Sequence, residues 1–389
     1  MYPLGLLSLC LSLRATGAAA AVKVKAYNCT SFMVAVPVDN ITTIVPPFPP
    51  PLDPYQTVAL ANNFTAAIAL SDSGGKPNLT SLTATFDISV EYCTPARLDS
   101  KTPKTLQILT HGVGFNRTYW DFYAPGKPDD PQYSYVNVAT GAGHSTLAWN
   151  RLGHPPTTVA DPYTEIQAPV EQAVLIALTT LIRAGNITQV PVPDKDIHVG
   201  HSWGSILSNG LAQAAPDLSD GLVLTAWSQL TLYQSIFVGS TGLHLANLNQ
   251  PKRFPKNTWS NGFVTWPDKY ANQYSFLDYP YFDPAVLDFA EATKYPFTIG
   301  EFLSQNSLTF DAPDFKGSVL YLAAERDLIF CGSNCTRFYG RSSKAVEAFN
   351  GSSSVETYIQ PNVGHGINLH KNATGAYNVI IDWASRHGF

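Results

Sequence analysis

Ile197-His198-Val199-Gly200-His201-Ser202-Trp203-Gly204-Ser205 is the stretch whose reading decides the fold. Ile197 to Val199 reads as a short apolar strand. Gly200 to Gly204 then forms a Gly-x-Ser-x-Gly turn, and SILSNGLAQAA, from Ser205, continues as a helix. A serine held on a sharp strand-to-helix turn projects its hydroxyl from the end of a sheet. Glycine suits both flanks of such a turn, because side chains there collide where strand and helix crowd together. The pentapeptide alone occurs often by chance, and its flanks are what give it weight.

Working outward, strand-like runs alternate with helical ones. Upstream, Thr105 to Thr110 has a buried-strand pattern and ends in His111-Gly112-Val113-Gly114. His144 to Ala148 reads as another strand, followed by Asn150-Arg151-Leu152-Gly153-His154. Pro162 to Arg183 carries Ile166, Val170, Val174, Ala177 and Leu181 at three- and four-residue steps, which predicts a helix stopped at Gly185. Downstream, Gly221 to Trp227 and Ser318 to Ala324 are strands, the second running into Glu325-Arg326-Asp327. Thr357 to Gln360 makes the last strand, then come Asn362-Val363-Gly364-His365-Gly366 and a terminal helix from Thr374 to Arg386. At 389 residues the chain suits one large α/β domain with an insertion, or two ordinary domains.

The serine turn, the His-Gly turn and the order Ser202, Asp327, His365 together resemble the α/β-hydrolase family. The resemblance implies the α/β-hydrolase fold, a mostly parallel central sheet flanked by helices with a largely helical cap insertion. It makes Ser202 the nucleophile, His365 the base and Asp327 the acid, with Glu325 the nearby competitor and Asp314 a weaker one. Val113 and Trp203 would supply the oxyanion-hole N–H groups. A bland alternative leaves His111 as packing at a Gly-rich strand exit. The Asn150-Arg151-x-Gly turn resembles the family's Asp-Arg-x-Gly turn after strand four, with Asn in place of the acid, and is read as structural. His201 is read as packing at the turn, and His154, His198, His244, His370 and His387 as structural or exposed.

Residues 229–316 form a connection far longer than the usual 4–6 residues or so, and are rich in aromatics such as Phe254, Trp259, Trp266 and Phe276. The family often carries its cap here; most of these aromatics would be the cap's own core and the remainder would line an apolar pocket. The expected organisation is therefore a signal peptide at 1–20, core at 21–228, cap at 229–316 and core again at 317–389.

Compartment is read from other features. Leu4 to Leu13 is a short apolar run followed by Gly17-Ala18-Ala19-Ala20, the pattern of a cleaved leader. It is shorter than the 20 or so apolar residues that span a bilayer, and no hydrophobic anchor tail is read at the C-terminus. Asn-x-Ser/Thr occurs at Asn28, Asn40, Asn63, Asn78, Asn116, Asn186, Asn334, Asn350 and Asn372. With only 14% charged residues, this density predicts a secreted, extracellular glycoprotein. A net charge of -5 and the lack of any Lys/Arg block argue against nucleic acid as a partner.

Without the leader four cysteines remain, Cys29, Cys93, Cys331 and Cys335, which allow three pairings. Thr30 to Val38 and Ser81 to Glu91 both read as strands. Pairing them antiparallel sets Cys29 opposite Cys93 and leaves Cys331 and Cys335 to close a small loop. A metal site is the rival reading, but no His ligands stand nearby at zinc spacing. Val45 to Pro54, rich in proline, reads as a rigid surface connector that cannot enter a central strand.

The function these features predict is hydrolysis of a small apolar ester or amide by a serine hydrolase, carboxylic esters first, with no cofactor and no metal. The Ser-Trp-Gly-Ser run also recurs in proline iminopeptidases. That reading needs cap acids to hold a free amine, for which Asp278, Asp283, Asp288, Glu291 and Glu301 are available. Lyase or acyl-transfer chemistry, and a catalytically inactive binding protein, stay open beside it. Oligomeric state is not legible.

Overall fold

The computed structural model describes residues 27–66, 78–96, 105–229, 233–337 and 343–389. The expected leader lies outside the described residues.

The chain opens with β1 (Tyr27–Val45), α1 (Pro54–Thr65), β2 (Asn78–Pro95), β3 (Thr105–Thr110), α2 (Tyr135–Gly141) and β4 (Ser145–Trp149). Next come α3 (Ala168–Arg183), β5 (Lys195–His201), α4 (Trp203–Ala214) and β6 (Gly221–Thr225). Between β6 and the next strand of the main sheet lie α5 (Gln234–Thr241), β7 (His244–Leu245), α6 (Ala246–Asn249) and β8 (Phe263–Thr265). The same segment continues with α7 (Lys269–Phe276), α8 (Pro284–Thr293), β9 (Phe297–Thr298) and α9 (Ile299–Ser304). The chain closes with β10 (Ser318–Ala324), α10 (Leu328–Cys331), α11 (Lys344–Glu347), β11 (Ser354–Gln360) and α12 (Ala373–Arg386).

Eight of these strands form one sheet in the order β1-β2-β4-β3-β5-β6-β10-β11. From β4 to β11 every neighbouring pair is parallel, while β1/β2 and β2/β4 are antiparallel. All residues of β3, β6 and β10 are buried, as required of central parallel strands covered on both faces. Helix α3 packs beside α4, and α2 beside α12, so helices flank the sheet. Val174, Leu178 and Ile182 of α3 and Leu207 and Leu211 of α4 are fully or almost fully buried.

The hairpin of β1 and β2 pairs Cys29 with Cys93 directly across the ladder, and their sulfurs are 2.03 Å apart. Cys331 and Cys335 are joined as well. Only Val90 to Cys93 of β2 reach β4, so most of the hairpin extends past the sheet's short central strands.

Several boundaries differ from the sequence expectation. Helix α3 starts at Ala168 rather than Pro162, because Asp161 turns the chain by accepting from the N–H groups of Tyr163 (2.9 Å) and Thr164 (2.8 Å). Proline in the first turn of α3 then sets the start, where its missing N–H costs nothing. Helix α4 begins at Trp203, two residues before the expected Ser205. Helix α1 was not expected at all. Its signal was present in Asp53-Pro54: Asp53 caps the helix by accepting from Gln56 N at 2.8 Å, and Pro54 is its first residue.

The segment between β6 and β10 is built from the short helices α5 to α9 around a small antiparallel sheet, β7-β8-β9. No helix among the described residues is long and apolar enough to cross a membrane.

Candidate active site

Strand β5 and helix α4 meet at Ser202, whose backbone sits at φ 54°, ψ −114°. A positive φ is strained for a residue with a side chain and persists only where its surroundings hold it. Ser202 N–H donates to Thr225 O at 2.9 Å, and Ser202 O accepts from Ser205 N at 2.8 Å and Ile206 N at 3.0 Å. The flanking glycines are needed for closeness. A Cβ on Gly200 would lie 2.5 Å from Gly204 O, and one on Gly204 only 2.0 Å from Thr110 O.

The His111-Gly112-Val113 turn after β3 lies directly beside the serine, since a Cβ on Gly112 would come within 3.1 Å of Ser202 Cβ. His111 is fully buried. Its Nε2 accepts from Arg151 N at 3.2 Å, which leaves the proton on Nδ1 for donation to Gly112 O at 2.9 Å. Burial, with the charge of Arg151 among lesser causes, holds this imidazole neutral, its pKa well below the usual range. Trp203 is the first residue of α4, so its N–H has no partner within the helix.

Asp327 follows β10 and caps α10, its Oδ1 accepting from Phe330 N at 3.0 Å. Its Oδ2 lies 2.7 Å from His365 Nδ1, both side chains being buried. The competitor acids are elsewhere: Glu325 accepts from Asn362 N at 2.9 Å, and Asp314 is exposed. The His365 ring sits against His201, Phe276 and Phe330, with centroids 5.2, 5.7 and 5.7 Å away.

The structure therefore brings Asp327 to His365, but no hydrogen bond joins His365 to Ser202. His365 Nε2 is buried and unbonded. Hydrogen bonds of this kind are often long without substrate and tighten when it binds.

Most of the remaining histidines are engaged in the scaffold. His201 stacks on Tyr119 (4.4 Å between centroids) and meets Thr225 Oγ1 at 3.2 Å. His198 lies between Thr179 Oγ1 and Ser219 Oγ. His370 Nε2 accepts from Gly364 N and Asp278 N, both at 3.0 Å, and so braces the loop carrying His365. His154 bonds the carbonyl of Leu152, His387 reaches Ser318 and Glu356, and His244 is exposed.

A cavity of about 180 Å³ opens at the serine. Ser202, Trp203 and Val113 form one wall; Phe237, Phe297 and Phe302 from the segment between β6 and β10 form another. Phe64 of α1 also lines it, with its ring 6.1 Å from that of Phe302. Sequence reasoning missed Phe64, because nothing near residue 64 marks it as close to residue 202. At one side Gln234 and Gln305 exchange amide hydrogen bonds of 2.8 and 3.1 Å.

Sequence reasoning also read Arg151 only as part of a structural turn and passed over Glu171. Both are fully buried. Arg151 Nη1 donates to both Glu171 oxygens at 2.8 Å and to Glu301 Oε1 at 2.5 Å. Trp203 Nε1 donates to Glu171 Oε2 at 2.6 Å. Burial pushes the Glu171 carboxyl above the usual carboxylate range, opposed by the charge of Arg151. The Asn-Arg turn after β4 was the available signal for this cluster.

Of the other acids between β6 and β10 considered for amine recognition, Asp283 caps α8 and Asp288 pairs with exposed Lys269. Glu291 accepts from Trp266 Nε1 and Lys294 Nζ. Asp278 lies in a groove beside His365. No cluster of potential metal ligands occurs among the described residues.

The family model described as the alpha/beta hydrolase family matches residues 107–374. A search of curated proteins finds no match in sequence. Among solved structures, a thermophilic esterase from Thermogutta terrifontis superposes with a TM-score of 0.51 at 11% identity, covering 78% of this chain and 95% of its own. A Mycobacterium tuberculosis protein, Rv0554, gives a TM-score of 0.50 at 15% identity, covering 78% and 95%. At these identities the likeness is one of fold.

Proposed function

Because the chain belongs to the alpha/beta hydrolase family, we propose that it is a serine hydrolase of small apolar carboxylic esters. The observation that carries this reading is the 2.7 Å contact between Asp327 and His365, which leaves His365 Nε2 unbonded with its ring 5.2 Å from that of His201, the residue before the strained Ser202. In the mechanism His365 Nε2 takes the Ser202 proton as Oγ attacks the ester carbonyl. Asp327 holds the imidazole by Nδ1 and stabilises the imidazolium. The N–H groups of Val113 and Trp203 receive the developing oxyanion. The alcohol leaves with the proton from His365, and water, activated by the same base, releases the acid.

The aromatic lining of the cavity favours an apolar acyl group. Its volume of about 180 Å³ suits a group of roughly benzene size, since an apolar cavity of about 150 Å³ takes up benzene. Esters rather than aminoacyl amides are favoured because four of the five acids considered, Asp283, Asp288, Glu291 and Glu301, already have partners. We read residues 229–316 as a cap, since Phe237, Phe297 and Phe302 wall the cavity at the serine.

Secretion and glycosylation belong to the same proposal. Asn28, Asn40, Asn63, Asn78, Asn186, Asn334 and Asn350 are exposed, and Asn116 and Asn372 half-buried, which leaves most sequons open to a glycan. Protein from a eukaryotic secretory host should lose mass on endoglycosidase treatment; an unchanged mass would count against export.

The enzymatic reading is tested with a fluorophosphonate and with nitrophenyl esters of rising acyl length, run beside aminoacyl arylamides. Ser202 should take the label and Ser202→Ala should not, while His365→Ala should lose as much as about 10⁶ in kcat. Absence of both label and turnover in folded wild-type protein would overturn the reading. Labelling without turnover would point to transfer or lyase chemistry.

A further inference from the structure

Both backbone donors assigned to the oxyanion are gripped from behind by one buried charge cluster. The Gly112 carbonyl and the Val113 N–H belong to a single planar peptide and point in opposite directions. Arg151 Nη2 donates to that carbonyl at 3.3 Å, beside the 2.9 Å bond from His111 Nδ1. Holding the oxygen on one side of the peptide sets the direction of the N–H on the other. The second donor, Trp203, is tied to the same cluster through its indole, which bonds Glu171 Oε2 at 2.6 Å. Arg151 Nη1 joins the two halves by bonding Glu171.

Glu301, from the segment between β6 and β10, closes the cluster. It sits in the first turn of α9, where its Oε2 accepts from Thr298 N at 2.6 Å and its Oε1 meets Arg151. Glu301 also lines the cavity that holds Ser202. Four separated pieces of chain thus meet at one guanidinium: the turn after β3, the turn after β4, helix α3 and helix α9.

We propose that Arg151, Glu171 and Glu301 are positioning residues that aim the Val113 and Trp203 N–H groups at the oxyanion. A cluster serving stability alone would not need to bond the peptide of one donor and the side chain of the other. Ion pairs this deeply buried are weak evidence for stability, since the cost of desolvating three charged groups rivals their attraction. Geometry is what they supply here. A donor displaced by a fraction of an ångström loses transition-state stabilisation while leaving substrate binding intact, because the charge it meets develops only in the transition state.

The inference rests on the serine-hydrolase reading, and its test separates the two. Glu171→Gln keeps the shape of the side chain and removes its charge; Trp203→Phe removes the indole N–H and keeps an aromatic ring. For the best ester, kcat and KM are measured with the inhibition constants of two analogues. A trifluoromethyl ketone adds to the serine to form a tetrahedral oxyanion, and the matching methyl ketone occupies the cavity without adding.

Each variant should lower kcat and weaken the trifluoromethyl ketone by about ten- to a hundred-fold, less than or equal to loss of a whole donor. KM and the methyl-ketone constant should stay within about two-fold. The double variant should lose less than the product of the two single losses, because both changes weaken the same contact between Trp203 and Glu171. If the wild type is active and either folded variant keeps its kcat and its trifluoromethyl-ketone affinity, the proposal is overturned and the hydrolase reading stands. Equal losses in both ketones would also overturn it, in favour of a packing role. A wild type that neither forms the adduct nor turns over an ester ends both, since there is then no oxyanion to serve. Should Glu171→Gln fail to fold, Trp203→Phe decides alone.

Discussion

At the scale of single residues, two hydrogen bonds favour Asp327 over Glu325 as the acid of the proposed triad. Asp327 reaches His365 Nδ1 at 2.7 Å, while Glu325, two positions earlier, turns to the backbone N–H of Asn362 at 2.9 Å. Strand geometry gives the reason, because β10 ends at Ala324 and residues beyond it no longer share one side. Asp327→Asn should then lower kcat by about 10⁴, since an amide donates to His365 and favours the wrong tautomer. Glu325→Gln should change kcat by less than about ten-fold, as it only weakens a loop contact. Steady-state kinetics on a nitrophenyl ester checks both, and a more severe Glu325 variant would refute the assignment.

At the scale of elements, the β1–β2 hairpin depends on few contacts with the rest of the sheet. It pairs along nearly its whole length with itself, and reaches β4 only through Val90 to Cys93. Cys29–Cys93 closes the hairpin at that same end, linking residues 64 apart in sequence. A crosslink over so long a loop restricts the unfolded chain strongly. Replacing both cysteines by serine should cost about 2–5 kcal/mol in denaturant unfolding. Peptide mapping without reductant should recover Cys29 with Cys93 and Cys331 with Cys335; crossed links would refute this pairing. The opposite case among elements is α1, which is short and carries exposed Tyr55 and Val58, yet seats Phe64 in the cavity wall. Its packing partner is α5 of the segment between β6 and β10.

At the scale of the whole molecule, the burial of histidines makes stability depend on pH. Burial depresses His154 and His198 to about 3, and His144 and His370 to about 4. In the unfolded chain these groups bind protons near pH 6.5, but in the fold they stay neutral until the pH is far lower. Stability is therefore full above about pH 6.5 and lost as the pH falls from there towards 4. Each of the four costs about 2 kcal/mol at pH 5. The Glu171 carboxyl, raised by burial, acts in the opposite sense, one group against the several buried histidines. The urea midpoint should fall between pH 7 and pH 5, and His198→Asn should shrink that fall by about 2 kcal/mol. An unchanged midpoint over this range would contradict the burial of these rings.

Local chemistry made the architecture legible from sequence. Short apolar runs such as Thr105 to Thr110 and Ser318 to Ala324, bounded by turn residues, fit buried strands, and a serine between Gly200 and Gly204 with a strand before it and a helix after it fits a tight crossing. The same logic aligned Cys29 with Cys93, since two alternating strands of matching length have few registers. Boundaries were less legible where a side chain intervened, as Asp161 does before α3. What the tertiary structure alone decided is which distant residues share a space. Phe64 faces Phe302, and Arg151, Glu171 and Glu301 converge behind the serine, from positions that carry no common period. Periodicity reports which face of an element is buried, not which other element covers it, and the chemistry around Ser202 is set by that second fact.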